Sequence, residues 1–449
     1  MNSLARRRQT GRCLVAALAL TARLVVHAEP APPAAEVAAA ATNTVPARLS
    51  LAEAQHLALA RNWDLLAAKS DVDIAFAQRL IAREFPNPTL SLSSAYINVD
   101  NHPSGTVMGN GVWDRNYDTI AAISQLLEIG GKRASRKTSA LEGWRVAQAR
   151  FADARRLLDQ GVANAYVAAL LATENARILR ASAAALRQEA QIAATRFQAG
   201  EIAATDQKQI EIAADQLELE AQSADAAATS AKVNVEVLLG VRHPLGQWTA
   251  ADTLASLATK PVPRDRLEPA TPRPDLLAAE SAKAKADADL KLQKAYRVPD
   301  PTVEFQYEHN PPDFPNTVGV GISLPLPLWN HNRGAIEAAR SAAEQAQAQV
   351  EKVRGQIAAD IINARIAYDD AAARLARYTQ SIEPRSRAVT ETITFAYHKG
   401  GASLLDLLQA ERNDNDIRLA AAQAASDTAV AAAAVIAVLN FREFPADSP

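Results

Sequence analysis

The chain has 449 residues, of which 22% are charged and only 5% aromatic, and alanine is the commonest side chain throughout. That composition excludes an aromatic-rich globular core and favours long helices. Removing a leader of residues 1–28 would take away five arginines and no acids, leaving 43 basic against 50 acidic residues and a net charge of −7. No basic stripe suggests nucleic acid.

The leader is itself a prediction. "MNSLARRRQTGR" is a basic n-region, "CLVAALALTA" an apolar h-region and "VHA", ending at Ala28, a small-residue cleavage site. Arg23 interrupts the apolar stretch, so cleavage after Ala22 is a second option. The single cysteine, Cys13, falls within this leader. Disulfides and thiol chemistry are therefore not expected in the mature chain, nor is lipid modification at a cysteine that precedes the h-region.

Residues 29–49, rich in Ala and Pro, read as a flexible segment. Two repeats follow. "DLLAA" at 64–68 recurs at 275–279, "PNPT" at 86–89 is answered by "PDPT" at 299–302, and "LLEIGGKR" at 126–133 by "LPLWNHNR" at 326–333. The order of these landmarks predicts an internal duplication, with a first repeat over 50–240, a linker over 241–273, a second repeat over 274–440 and a tail over 441–449. The first repeat has thirteen extra residues between its landmarks.

Within each repeat the pattern changes period. An entry helix is expected over about 50–85. Strand patterns follow at about 89–127, around a long Gly/Asn/Asp-rich loop, and at about 301–325, where Val303, Phe305 and Tyr307 alternate with Glu304, Gln306 and Glu308. Period two with one apolar face marks a half-buried strand. Strands of about ten residues can cross a bilayer when tilted; soluble hairpins are the other reading.

Helical patterns run from Arg133 to about Arg196 and from Gly334 to about His398. A run of that length would reach about 100 Å. Ile357, Ile361, Ala364, Tyr368, Ala371, Leu375, Tyr378 and Ile382 keep 4-3 spacing, a heptad seam, and Pro384 should kink the helix locally. Gly200, and Gly400 with Gly401, then mark sharp turns, after which about 39 helical residues run back. "FQAGEIAATDQKQIE" and "YHKGGASLLDLLQAER" share Gly200 with Gly400 and Asp206 with Asp406. After the linker, residues 274–298 resume as helix. No segment beyond the leader is expected to be a transmembrane helix; "TAVAAAAVIAVL" near 435 is too short.

The geometry is then two long helical hairpins with their tips at one end and four strands at the other. Four strands cannot close a barrel, and open edges are untenable in lipid, so membranous strands require several copies. Three copies give twelve strands.

The residues resemble the TolC-type outer-membrane efflux proteins. The resemblance rests on "LSLAEAQHLALARNWDLLAAKSDV", both Pro-x-Pro-Thr strand starts and both Gly-turn-Asp tips. "SQLLEIGGKR" and "LPLPLWNHNRG" look like the cobalt–zinc–cadmium efflux branch. The resemblance implies a mainly α fold with a small membrane β part. As a homotrimer it would form a twelve-stranded barrel in the outer membrane, embedded in lipid, and continue as a helical barrel into the periplasm. It also implies a passive duct docking a periplasmic adaptor and an inner-membrane RND pump, with no nucleic-acid partner. Drug efflux or type I secretion is the alternative cargo, and a soluble periplasmic scaffold the alternative class.

Carried over residue by residue, the resemblance places Asp406 at an acidic periplasmic aperture, with Gln409 where some members have a second acid. Asp206 and Tyr397 fall at latch positions, although Ala402 stands where the latch arginine would be. Gly200, Gly400, Gly401, Ser403 and Leu404 fall at the adaptor-docking tips. The bland reading of Asp206 and Asp406 is a first-turn acid facing a helix dipole. The histidines are scattered, without i, i+4 ligand spacing, so no metal site is expected. "EIGGKRAS" is not a phosphate loop, no catalytic constellation is legible, and neither an enzyme nor a cofactor is expected.

Overall fold

In a computed structural model, the structure describes residues 45–95, 118–263, 266–310 and 314–441. The leader and most of 29–49, the first-repeat loop at 96–117 and the tail beyond 441 lie outside the described residues. Elements follow in the order β1 (Arg48–Leu49), α1 (Leu51–Arg61), α2 (Trp63–Ile81), β2 (Thr89–Ala95), β3 (Asp118–Leu126), α3 (Lys132–Gln198) and α4 (Ala204–Leu238). After them come β4 (Thr249–Ala250), α5 (Leu254–Ala258), α6 (Pro274–Ala295), β5 (Thr302–Asn310) and β6 (Phe314–Ser323). The last are α7 (Arg333–Arg377), a π-helical turn (Tyr378–Ile382), α8 (Glu383–His398) and α9 (Leu404–Val438).

The duplication is visible in the caps. Helix α3 ends with Gly200 at φ 76° and the run through α8 with Gly400 at φ 75°. At each, the residue after the glycine donates its amide back to the third-last helical carbonyl: Glu201 to Arg196 at 2.9 Å and Gly401 to Ala396 at 2.8 Å. This is the Schellman closure, which needs a left-handed residue that glycine adopts without a Cβ penalty. The returning helices end alike, α4 at Gly240 and α9 at Asn440, both with positive φ. At Gly240 an added Cβ would lie 2.3 Å from the Arg61 carbonyl oxygen, so that turn also tolerates no side chain.

One sequence expectation is corrected and two are made more specific. The entry helix is two helices, α1 and α2, because Asn62 takes an extended conformation at ψ 128°. Its side chain caps α2 by accepting from the Leu65 amide at 3.0 Å, while its amide nitrogen donates to the Leu238 carbonyl at 3.0 Å. The break thus fixes the entry helices to the end of α4. The strain of Pro384 appears one turn earlier as the π-helical turn, where the Glu383 amide donates to the Tyr378 carbonyl five residues back. Widening the turn absorbs the bond and space that proline denies. The linker is not wholly irregular: β4 pairs in parallel with β1, Arg48 on Thr249 and Leu49 on Ala250. The end of the Ala/Pro-rich segment is therefore pinned. Tyr166 reinforces it, donating to the Leu49 carbonyl at 2.8 Å and stacking on Trp248.

Helix α3 is 67 residues long, about 100 Å at 1.5 Å per residue. The two shorter helices α4 and α6 both pack along it. The heptad seam on α7 is real: Ile357, Ile361 and Tyr368 are buried against Ala431, Ala432, Val435 and Leu439 at the end of the α9 run. Helix α9 is long and apolar enough to cross a membrane by length and composition, contrary to expectation. However, 56% of its apolar window is buried inside the molecule, so it serves the helical core.

The four long strands form one antiparallel sheet in the order β2-β3-β5-β6. The register sets Leu90 beside Ile123, Ile123 beside Phe305, and Phe305 beside Val320. Side chains alternate, so these residues share one face with Leu92, Val318 and Ile322. All seven are exposed. The other face carries Ser91, Ser93, Ser124, Glu304, Gln306 and Glu308 by the same register.

Candidate functional site: the paired helical tips

The two tips form one body. Leu186, Ala190 and Ala193 of α3, Ile210 and Ala214 of α4, and Leu404 and Leu407 of α9 are buried in a single cluster, with Ile393 and Tyr397 of α8 against it. Small alanines on α3 and α4 allow close approach, and the leucines of α9 fill the space between the hairpins.

Leu404 is consequently 9% exposed, and the exposed leucine of the turn is Leu405 at 71%. Of the residues expected at the docking tips, Leu404 faces the core because helix geometry aligns it with Leu407 and Leu408, while 405 points outward. Gly200, Gly400, Gly401 and Ser403 are exposed, and Phe395 lies exposed on the adjoining turn of α8.

Asp406 completes a capping box. Its carboxylate accepts from the Ser403 hydroxyl at 2.7 Å and the Ser403 amide at 3.0 Å, and the Ser403 hydroxyl accepts from the Asp406 amide at 3.2 Å. This reciprocal closure satisfies the helix start. The Ser403 side chain, then its backbone amide, hold the Asp406 carboxyl below the usual aspartate range. Asp406 therefore has the first-turn role that its position allows, and it remains fully exposed. Gln409, one turn later, is also exposed. The first tip lacks the box, since Ala203 stands at the N-cap with no side-chain bond.

Asp206 and Tyr397 lie near each other across the hairpins, and their interaction is electrostatic rather than a direct hydrogen bond. Burial raises the Tyr397 phenol, the Arg196 guanidinium opposes that shift, and the Glu189 and Asp206 carboxylates add to it. Arg196 lies 5.9 Å from the Tyr397 ring centroid and pairs with Glu201 at 3.2 Å. A cation from α3 thus stands beside Tyr397 although position 402 is alanine.

Above the tips lies a polar seam that the sequence did not reveal. His398 meets Glu189 at 3.2 Å, Asp414 accepts from the Ser386 hydroxyl at 2.9 Å and pairs with Arg418 at 2.7 Å, and Ser182 donates to Asn415 at 3.2 Å. Glu411 stands among them, its carboxyl raised by burial and then by Asp414, with Arg418 opposing and Glu189 adding to the rise. Ser182 and Glu189 of α3 and Ser386 and His398 of α8 meet Glu411, Asp414, Asn415 and Arg418 of α9 only by packing, so the seam carries no motif in the sequence. Among the described residues no cluster of three or more His, Cys, Asp or Glu has metal-holding geometry.

The outer membrane efflux protein family matches residues 54–241 and 270–440, one match for each repeat. The cobalt-zinc-cadmium resistance protein CzcC of Cupriavidus metallidurans is 26% identical over 369 residues, covering 81% of this chain and 83% of that protein. The pyoverdine export outer membrane protein OpmQ of Pseudomonas aeruginosa is 28% identical, over 79% of this chain and 77% of its own. In fold, crystal structures of CusC align with TM-score 0.72 at 16% identity, over 87% of this chain and 91% of that one. The outer membrane protein VceC of Vibrio cholerae aligns with TM-score 0.68 at 19% identity, over 87% and 95%. Two family matches that together span most of the chain, on a fold shared with these channels, show that it belongs to the outer membrane efflux protein family and resides in the outer membrane.

Proposed function

We propose that this protein is the outer-membrane exit duct of a three-component efflux system whose cargo is heavy-metal cations. Three copies would join their sheets edge to edge into a twelve-stranded barrel and extend their helical hairpins as one periplasmic tube. The tips would dock a periplasmic adaptor coupled to an inner-membrane RND pump. One observation carries this reading: one face of the sheet exposes Leu90, Leu92, Ile123, Phe305, Val318, Val320 and Ile322, and among the described residues β2 and β6 are its unpaired edge strands. In water such a face and such edges would drive association; in lipid, edge pairing between copies closes the barrel and satisfies the backbone.

The metal cargo is supported by the resemblance to CzcC, and by a second relative, the nickel-cobalt-cadmium resistance protein NccC of Alcaligenes xylosoxydans xylosoxydans, 26% identical over 242 residues. OpmQ, similarly related, supports the alternative of an organic cargo. In a passive duct, Asp406 supplies charge at the narrow end, where three copies would make a carboxylate ring, and Tyr397 with Asp206 and Arg196 holds the hairpins together in the resting state. Deleting the gene should raise cellular cobalt, zinc or cadmium and lower resistance, with restoration by the wild-type gene. Unchanged metal content together with new sensitivity to organic compounds would replace the metal reading with the alternative.

A further inference from the structure

The ends of the strands carry a second surface that the channel reading does not use. Thr89 sits opposite Ser124, Leu126 opposite Thr302, and Thr302 opposite Ser323. All four strands therefore begin or end at one level, where the chain passes to the helices. Four connections leave that level: 82–88, 127–131, 296–301 and 324–332.

Every one of them exposes large apolar groups. Phe85 is exposed beneath the Arg133 guanidinium, whose carbon lies 3.7 Å from the ring centroid. Leu127, Ile129, Tyr296 and Val298 are exposed on the next two. The fourth is the most pronounced. Val318, Val320 and Ile322 on the apolar face of β6 continue in sequence as Leu324, Leu326 and Leu328, all exposed, and the run ends in Trp329 at 91% exposure. Asn332 holds the far side of this segment by donating to the Gln293 carbonyl at 2.8 Å. Trp329 is thus presented by an anchored connection.

Basic residues share the level. Arg83, Lys294, Arg297 and Arg333 are exposed, whereas the nearby acids Glu128 and Asp300 are taken up by Arg136 at 2.5 Å and Lys132 at 2.7 Å. Glu84 is the exposed acid among them. The collar is apolar, aromatic and net positive.

Its depth follows from strand length. β6 has ten residues; at about 3.4 Å per residue and a tilt near 40° it rises about 26 Å, close to the ~25 Å apolar band of an outer-membrane barrel. Residues immediately past Ser323 then fall at the headgroup level, where Trp and Tyr are favoured and cations meet lipid phosphates. We propose that the strand–helix collar, with Trp329 as its principal anchor and Arg297 and Arg333 as its phosphate partners, binds anionic phospholipid of the periplasmic leaflet. The proposal rests on the outer-membrane location but not on the cargo or the docking partners.

The test uses full-length mature protein reconstituted in liposomes. The chain has five tryptophans, so the emission of Trp329 is taken as the difference between wild type and Trp329→Phe, a change that keeps an apolar ring. Phospholipids brominated near the headgroup should quench that difference at least twofold, and lipids brominated near the chain ends much less. Brominated phosphatidylglycerol should quench more than brominated phosphatidylcholine at equal mole fraction, and Arg297→Gln/Arg333→Gln should abolish the distinction. Co-flotation with the liposomes is scored separately, so loss of insertion counts against the membrane reading itself. In inserted protein, quenching by aqueous acrylamide alone would place Trp329 in water, and quenching by neither would place it against a neighbouring copy. Either result overturns the proposal.

Discussion

Leu407 is the side chain on which the joint between the two hairpin tips depends most. It is fully buried, and it touches a cluster contributed by α3, α4 and α9. Leu407→Ala removes three carbons; at ~0.8 kcal/mol per buried methylene the transfer loss alone is about 2.4 kcal/mol. The cavity left behind adds to this, within the ~2–5 kcal/mol range of buried Leu→Ala changes. Because the cluster is confined to the tips, the loss should appear as local opening rather than global unfolding. At a factor of ten per ~1.4 kcal/mol, 2.4 kcal/mol corresponds to about 50-fold faster exchange of protected tip amides. Hydrogen-exchange mass spectrometry of peptides covering 186–214 and 393–410 reads this directly, with peptides from the Ile357–Tyr368 seam as internal reference. Leu405→Ala, two residues away and exposed, is the control and should shift exchange little. Equal protection in the two variants would refute the idea that the tips share one core.

Further predictions concern charge and turns. Asp406→Asn should weaken divalent-cation block and cation preference in planar bilayers; asparagine keeps an acceptor for the Ser403 cap, so an unchanged pore would show that the charge is not at the constriction. The Asp406 carboxyl is held low by Ser403, so its ionised form persists as pH falls and is lost only on passing through that lowered value. Ser403→Ala should move the loss of block to higher pH. Glu411 has the opposite sign: a carboxyl raised by burial costs stability once pH rises through its folded value and costs none below its unfolded one. Glu411→Gln should therefore raise Tm more at neutral than at acidic pH, and an equal gain at both would exclude ionisation as the cause. Gly240→Ala should destabilise more than Gly200→Ala, since both have positive φ but only Gly240 meets backbone at 2.3 Å while Gly200 faces open space. The open site bears just the left-handed penalty, about 1–2 kcal/mol.

What was legible in the sequence was whatever repeats or alternates. The Gly200 and Gly400 turns, the seam at Ile357, Ile361 and Tyr368, and the alternation of Val303, Phe305 and Tyr307 are local patterns, and local geometry enforces them. The break at Asn62 was missed because Ala, Leu and Asn there keep helical periodicity on both sides; only the Leu238 carbonyl, 176 residues away, rewards the extended conformation. The sequence marked a disturbance at Pro384 but not its form, a π-helical turn, because proline marks where a hydrogen bond is lost, not which upstream turn widens. Leu404 and Leu405 are indistinguishable by composition, and a rotation of about 100° along the helix decides which is buried. Glu189, His398, Glu411 and Asp414 carry no motif, being brought together by packing of three helices.

In the proposed assembly, separate copies complete one barrel by pairing β2 with β6. Cys13 is the only cysteine of the chain, so Cys13→Ala gives a cysteine-free background for placing one cysteine in β2 and one in β6, at Leu92 and Val320 and at neighbouring registers. Mild oxidation of the membrane-inserted protein should give covalent dimer and trimer from at least one double variant and neither from the single variants. Monomer alone at every register, from protein that co-purifies with the outer membrane, would contradict the shared barrel.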